Sequence, residues 1–224
     1  MSTLPKKSIN YSDLIAQTSQ NSFNVRDEYK SLSSEQLNQI MEESRLPYAV
    51  CAINITGDLN VSGIIRSAAM FGAERVLMIG RRTYDKRGTV GAQNYVNVIR
   101  HDGMADDLTI DVNAFFNVMN QYKYLPIGIE TGGKDMDEFF STFKVHHNEM
   151  INTYDVEINP YHIYNSVKPC LIMGQEGTGI PIDILKRIDN IVTIRQRGVM
   201  RSLNVASAAS IAMYQMMKTL EQNK

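Results

Sequence analysis

Four stretches of strand length, apolar almost without a break, constrain this chain more than any other feature: residues 48–55 (YAVCAINI), 75–79, 124–129 and 169–173. A strand with one wet face alternates apolar and polar residues. These do not, so both of their faces must be covered, as in a parallel sheet flanked by helices on both sides. Helical patterns at 60–71, 111–122, 182–188 and 202–222 fall between and after them, which predicts an α/β domain built on an open, mostly parallel sheet. Ligands of such sheets bind beyond the carboxyl ends of the strands, so the loops after Ile55, Ile129, Met173 and Ile194 are the places to look.

With 224 residues, 43% of them hydrophobic, the chain has room for one such domain and an extension. Residues 1–46 read as that extension, a polar arm followed by a short helix, and residues 47–224 as the domain. The helix is announced by the capping box Ser33-x-x-Gln36 and by Leu37, Ile40 and Met41 at helical spacing, and it ends before Pro47. Because 23 Lys and Arg face 24 Asp and Glu, no global field draws the protein to nucleic acid or to an anionic membrane, and any such affinity must come from local clusters. Cys51 and Cys170 lie inside apolar runs and are expected as reduced core thiols. No apolar run approaches the ~18 to 20 residues of a membrane span, and residues 1–10 lack the apolar core of a secretory signal, so a soluble cytoplasmic protein is expected. His101, His146, His147 and His162 lack metal-ligand spacing, and no metal is expected.

The densest chemistry stands at residues 194–209 (IRQRGVMRSLNVASAA). Arg195, Arg197 and Arg201 precede a helix that Ser202 is placed to cap, an arrangement tolerant of anions. Beyond it, Val205, Ala206, Ala208, Ala209, Ile211 and Ala212 make a small-residue face suited to close approach of another backbone, here expected to be a second copy of the chain. Residues 171–181 (LIMGQEGTGIP) place three glycines directly after a strand, where a ligand can approach the backbone. The stretch is neither a Walker loop nor a dinucleotide fingerprint, which disfavours ATP and NAD. Arg66 follows Asn60 by nearly two helical turns, and by itself reads equally as a solvated helix flank. Arg81, Arg82, Lys86 and Arg87, with Tyr84 among them, form either a solvated loop or a grip on a nucleic-acid backbone.

Taken together, N-x5-R-S-A-x-x-F-G at 60–72, LIMGQEGTGIP at 171–181 and GVMRSLNV at 198–205 resemble the three motifs of the SpoU (TrmH-type) branch of the SPOUT methyltransferases. The resemblance implies S-adenosylmethionine-dependent methylation of a ribose 2′-hydroxyl in RNA by a homodimer with a C-terminal trefoil knot. It places Gly174, Ile194 and Leu203 in the cofactor pocket, with Glu130 and Thr131 at its edge. Arg66 corresponds to the branch's catalytic arginine, and Asn60, Glu176, Ser202 and Asn204 to its other polar positions. Ile194-Arg195-Gln196 departs from the Ile-Pro-Met of many bacterial members. Gln196 followed by GVMRSLNV is more similar to eukaryotic enzymes that methylate a D-loop guanosine ribose in tRNA, which favours tRNA over rRNA as substrate.

A guanidinium resists deprotonation, so Arg66 is expected to clamp a phosphate and steady a developing alkoxide rather than act as a base. Glu176 and Asn204 would then order the loops, and Ser202 would cap the helix or touch the ribose. The rival readings are an inactive relative that only holds RNA and an enzyme of the same fold that methylates a base.

Overall fold

The structure, a computed structural model, describes residues 25–80, 83–105, 109–143 and 168–222. Among these residues, strands β1 (Leu46–Ile53), β2 (Ala73–Ile79), β3 (Asn97–His101), β4 (Tyr124–Asp135), β5 (Lys168–Met173) and β6 (Asn190–Thr193) form one sheet. Its order is β3-β2-β1-β5-β4-β6 and every pairing is parallel. The helices are α1 (Ser34–Ser44), α2 (Asp58–Met70), α3 (Lys86–Thr89), α4 (Val112–Gln121), α5 (Met136–Thr142), α6 (Ile182–Leu185) and α7 (Val205–Gln222).

Strand β1 shows why the apolar runs are continuous. Tyr48, Val50 and Ala52 enter a core shared with α2, α5 and α7, whereas Ala49, Cys51 and Ile53 enter a second core shared with α4 and Ile180, Ile184 and Ile188. Every second residue faces opposite ways, and neither way leads to water. Cys51 and Cys170 are free thiols in the second core, where burial pushes both above the ordinary thiol range. No helix among the described residues is long and apolar enough to cross a membrane.

The helices lie close to where the sequence puts them, with instructive shifts. Ser33 caps α1 through the expected box with Gln36, and Asp111 caps α4 by accepting from the N–H groups of Asn113 and Ala114. Asp58 and Asn60 both carry side chains suited to capping, yet Gly57 holds the cap position of α2. Ser202 does not cap α7, which starts at Val205, because Asn204 accepts from the N–H groups of Ala206 and Ser207 at 3.0 and 3.2 Å. The pattern at 182–188 yields only the single turn α6. Strands β3 and β6 escaped the sequence reading because both sit at sheet edges. The first is exposed or half-buried along its length and the second is four residues long, so neither carries an apolar run. The polar arm up to residue 24 and the long polar stretch at 144–167 lie outside the described residues.

Candidate functional site

Helices α2 and α7 run parallel, side by side, on one face of the sheet. Their contacts climb at helical spacing. Asn204 Nδ2 donates to Asn60 Oδ1 at 2.9 Å, a Cβ on Gly63 would stand 3.1 Å from that of Ala206, the hydroxyls of Ser67 and Ser210 are 2.7 Å apart, and the rings of Phe71 and Tyr214 meet edge to face at 5.8 Å. Residues 60, 63, 67 and 71 share one helix face by their spacing, and small side chains at 63 and 206 permit the approach. The small-residue face of α7 is therefore occupied within the chain, with Ala209 and Ala212 fully buried. Of the face expected to receive a second copy, Ile211 alone is left exposed. The large apolar side chains left exposed on α2, on α7 and in the loop before α7 are Leu59, Met70, Val199, Met200, Leu203, Ile211 and Tyr214.

Parallel packing brings the N-termini of α2 and α7 to the same end, at the carboxyl edge of the sheet, and there the three motifs join. Glu176 reaches from the loop after β5 to the start of α2. Its carboxylate accepts from Thr56 N–H at 2.8 Å, Gly57 N–H at 3.0 Å, Thr56 Oγ1 at 3.2 Å and Asn60 Nδ2 at 2.9 Å. The carboxylate thus ties down the cap residue Gly57 and the residue before it, at a helix start that has no side-chain cap of its own. Asn60 then passes the connection to Asn204, whose own Oδ1 caps α7. Burial alone would raise the pKa of Glu176, but the bonds from Asn60, Thr56 and Gly57 outweigh it and hold the carboxyl below its ordinary value.

The loop carrying Glu176 is a closed hairpin. Gln175 and Gly179 exchange two backbone hydrogen bonds at 2.9 and 3.0 Å, and a Cβ on Gly174 would collide with the backbone of Gly179 and Ile180. Gly179 has φ +73°, a conformation that favours glycine, and a Cβ there would push against the Glu130 carboxylate. Glu130 accepts from Ile180 N–H and from Thr131 N–H, both at 3.0 Å, which ties the end of β4 to this hairpin. Thr193 ties the same segment to β6, donating to the Glu130 carbonyl at 2.8 Å and accepting from Gly133 N–H at 2.7 Å. Ile194 packs half-buried on the core, and Leu203 is exposed.

Not every candidate joins this junction. Arg66 makes no hydrogen bond or ion pair among the described residues. It lines a cleft of about 720 Å³ shared with Arg26, Tyr29, Phe71, Tyr95 and Met217. Ser202, Arg197 and Arg201 are exposed. Of the basic loop, Arg81 and Arg82 lie outside the described residues, and Lys86 is exposed in α3. Arg87 is paired side by side with Asp85, Nη2 to Oδ2 at 2.8 Å, and Arg195 is likewise paired with Asp135 at 2.9 Å. Both arginines remain exposed in these pairs, and exposed pairs of this kind are weak. Asp135 and Thr193 went unnoticed in the sequence. Asp135 carried a legible signal, an Asp directly before Met136, Phe139 and Phe140 at helical spacing, and Thr193 carried none.

The model of the SpoU rRNA methylase family matches residues 47–214. The chain belongs to this family. Solved structures of similar fold include an AdoMet-bound rRNA methyltransferase from Sinorhizobium meliloti (TM-score 0.56, 20% identity, 76% of this chain and 56% of that one). A second is the SpoU methyltransferase AviRb from Streptomyces viridochromogenes (0.56, 19%, 79% and 59%). A third is a TrmH/SpoU tRNA-modifying enzyme from A. aeolicus (0.62, 17%, 84% and 83%). The chain thus spans less than two thirds of the first two proteins, and at these identities the likeness is one of fold. No curated protein is a significant match.

Proposed function

We propose that the protein transfers a methyl group from S-adenosylmethionine to a ribose 2′-hydroxyl of RNA. The observation that carries this reading is the junction of Asn60, Glu176 and Asn204. One polar residue from each family motif meets the others at the carboxyl edge of a parallel sheet, where such folds bind ligands. A cofactor pocket beside the second half of β4 and the 174–180 and 194–204 loops is supported by their glycines: at Gly132, Gly177 and Gly198, one in each segment, a Cβ would meet open space, so a ligand can lie against bare backbone. Gly174, Ile194 and Leu203 would form its walls and Glu130 and Thr131 its edge. The bound cofactor supplies an electrophilic methyl group.

The chain's own contribution is placement. Glu176, Asn60 and Asn204 hold the loops, because their hydrogen-bonding capacity is taken up by one another and by helix N-termini. Arg66 keeps its five donors and fits a clamp on the phosphate beside the reacting ribose. Its cleft, with Arg26, Tyr29 and Tyr95, offers cations and aromatic faces suited to single-stranded RNA. Ser202, exposed next to Asn204, is placed to touch the ribose. Lys86, Arg197 and Arg201, with Arg81 and Arg82, would meet the backbone further out. We read the substrate as tRNA, with a D-loop guanosine ribose the first candidate and rRNA the alternative, and the assembly as a homodimer closed by the exposed apolar residues around Ile211. The C-terminal knot belongs to the same reading.

The experiment is to incubate the protein with S-adenosylmethionine carrying a labelled methyl group and with unmodified tRNA or rRNA, then hydrolyse in alkali. Strand cleavage needs a free 2′-hydroxyl, so label in alkali-resistant dinucleotides is the expected result. Label in mononucleotides would mean base methylation, and RNA binding without label would mean an inactive relative.

A further inference from the structure

The segment that ends β4 holds both of the loops that follow it in space. Glu130 fixes the 174–180 hairpin through Ile180 N–H, and Thr193 stitches Glu130 and Gly133 to β6. Asp135 completes the set. Its Oδ1 accepts from Asp137 N–H at 3.0 Å and Glu138 N–H at 3.4 Å, which caps α5, while its Oδ2 accepts from Arg195 Nε at 3.0 Å and faces Arg195 Nη2 at 2.9 Å. Two oxygens thus do two jobs: the first fixes the carboxylate on α5, and the second takes both prongs of the guanidinium fork. Arg195 lies two residues beyond the end of β6, where the chain leaves the sheet for the 194–204 loop. Asn204 secures the far end of that loop by capping α7. Between these anchors, Val199 and Met200 are exposed, and a Cβ on Gly198 would touch nothing.

We infer that Arg195 is a positioning residue: locked on Asp135, it sets the departure of the 194–204 loop and so shapes the cofactor pocket, and it is not an RNA ligand. This rests on the pocket assignment proposed above. A lysine would keep the charge but lose the fork, so it should substitute poorly. The pair is exposed on the arginine side, where it adds little to global stability. Its effect is local, on the cost of ordering one loop when the cofactor arrives.

The test compares Arg195→Ala, Arg195→Lys, Asp135→Asn and the double variant Arg195→Ala/Asp135→Asn in the full chain. Asparagine keeps the oxygen that caps α5 and removes only the charge facing Arg195. S-adenosylmethionine affinity is read by calorimetry, the KM for each substrate and kcat by steady-state methylation, and RNA affinity across a salt series. The expected result is a roughly five- to tenfold weaker affinity and higher KM for S-adenosylmethionine in Arg195→Ala and Asp135→Asn, the scale of leaving one or two side chains to be ordered on binding. The double variant should be no worse than either single, with kcat, RNA affinity and its salt slope unchanged. Unchanged cofactor affinity with weaker, less salt-dependent RNA binding would overturn the inference and make Arg195 an RNA ligand. Unchanged values throughout would overturn it as well. Failure of the wild-type chain to bind S-adenosylmethionine would instead bring down the pocket assignment, and this inference with it.

Discussion

Two sets of polar residues from the same three motifs behave in opposite ways. Asn60, Glu176 and Asn204 are hydrogen-bonded in series through Asn60 and to backbone at the N-terminal ends of α2 and α7, whereas Arg66, Arg201 and Ser202 make no side-chain hydrogen bond among the described residues. A side chain whose donors and acceptors are already matched gains nothing by meeting a substrate, and breaking its bonds would cost stability. One left unmatched in water can exchange that water for a ligand. The difference separates residues that build the site from residues that act in it, although sequence motifs present both alike.

The largest effect that would break this division is at Arg66. Arg66→Ala should lower single-turnover methylation at saturating RNA by at least ~10²-fold, the scale of removing one preorganised transition-state donor. S-adenosylmethionine affinity should change little, because no pocket residue bonds to Arg66. Arg66→Lys should also be poor. Near-wild-type turnover of Arg66→Ala would return this residue to the solvated helix flank.

Next comes the opposite pole. Glu176→Ala leaves Thr56 N–H, Gly57 N–H and Asn60 Nδ2 without their acceptor, and Asn204→Ala removes both the α7 cap and the bond to Asn60. Each should cost about 1–2 kcal/mol in denaturant unfolding, near the low end for a charged bond because Glu176 is exposed, and close to a typical cap for Asn204. The double variant should fall short of the sum, since both act on one network. Strict additivity would mean that the junction is not one unit.

A smaller effect is expected from the outer cations. Changing Lys86, Arg197 and Arg201 together to Ala should weaken RNA binding and lower its salt slope by up to roughly 0.7–0.9 for each phosphate that is no longer neutralised, with kcat kept at saturating RNA. Arg87→Ala should do less than Lys86→Ala, because Asp85 already balances Arg87. A gel-shift salt series distinguishes them.

How far the sequence discloses these differences depends on what each residue answers to. The sheet was readable because residues such as Val50 and Cys51, neighbours in the chain, are both driven from water and so leave an apolar run. The caps at Ser33 and Asp111 were readable because a cap is a local device. Cap placement at α7 failed because Ser202 and Asn204 are both good capping residues by chemistry, and only the packing of α7 on α2, through Gly63 and Ala206, decides between them. The motifs marked Asn60, Glu176 and Asn204 as a set without showing that they touch, since their partners are more than a hundred residues apart. Asp135 and Arg195 are 60 residues apart, and nothing local announces a pair closed by the return of β6 beside β4.

The smallest effect concerns acid, and its sign follows from the two carboxyls that anchor these regions. Asp135 is held below its ordinary value chiefly by the hydrogen bond from Arg195, against some desolvation, and Glu176 is held below its own by its three nitrogen donors, against the desolvation that is its largest single influence. A carboxyl whose folded-state pKa is depressed contributes stability that is present above its unfolded value, near 4 for both residue types, and is lost as pH falls through the lower folded-state value. Cofactor affinity and the unfolding free energy should therefore be flat with respect to these two groups from about pH 8 down to about pH 5 and decline only below it. In Asp135→Asn the acid decline of cofactor affinity should be shallower, because one of the two protonation events has been removed. In Glu176→Gln it is the acid loss of unfolding free energy that should be shallower, with the cofactor curve still steep. If instead either variant left both curves as steep as the wild type, the carboxyl in question would not be the group whose protonation opens its region, and the division between the built junction and the latched loop would have to be drawn elsewhere.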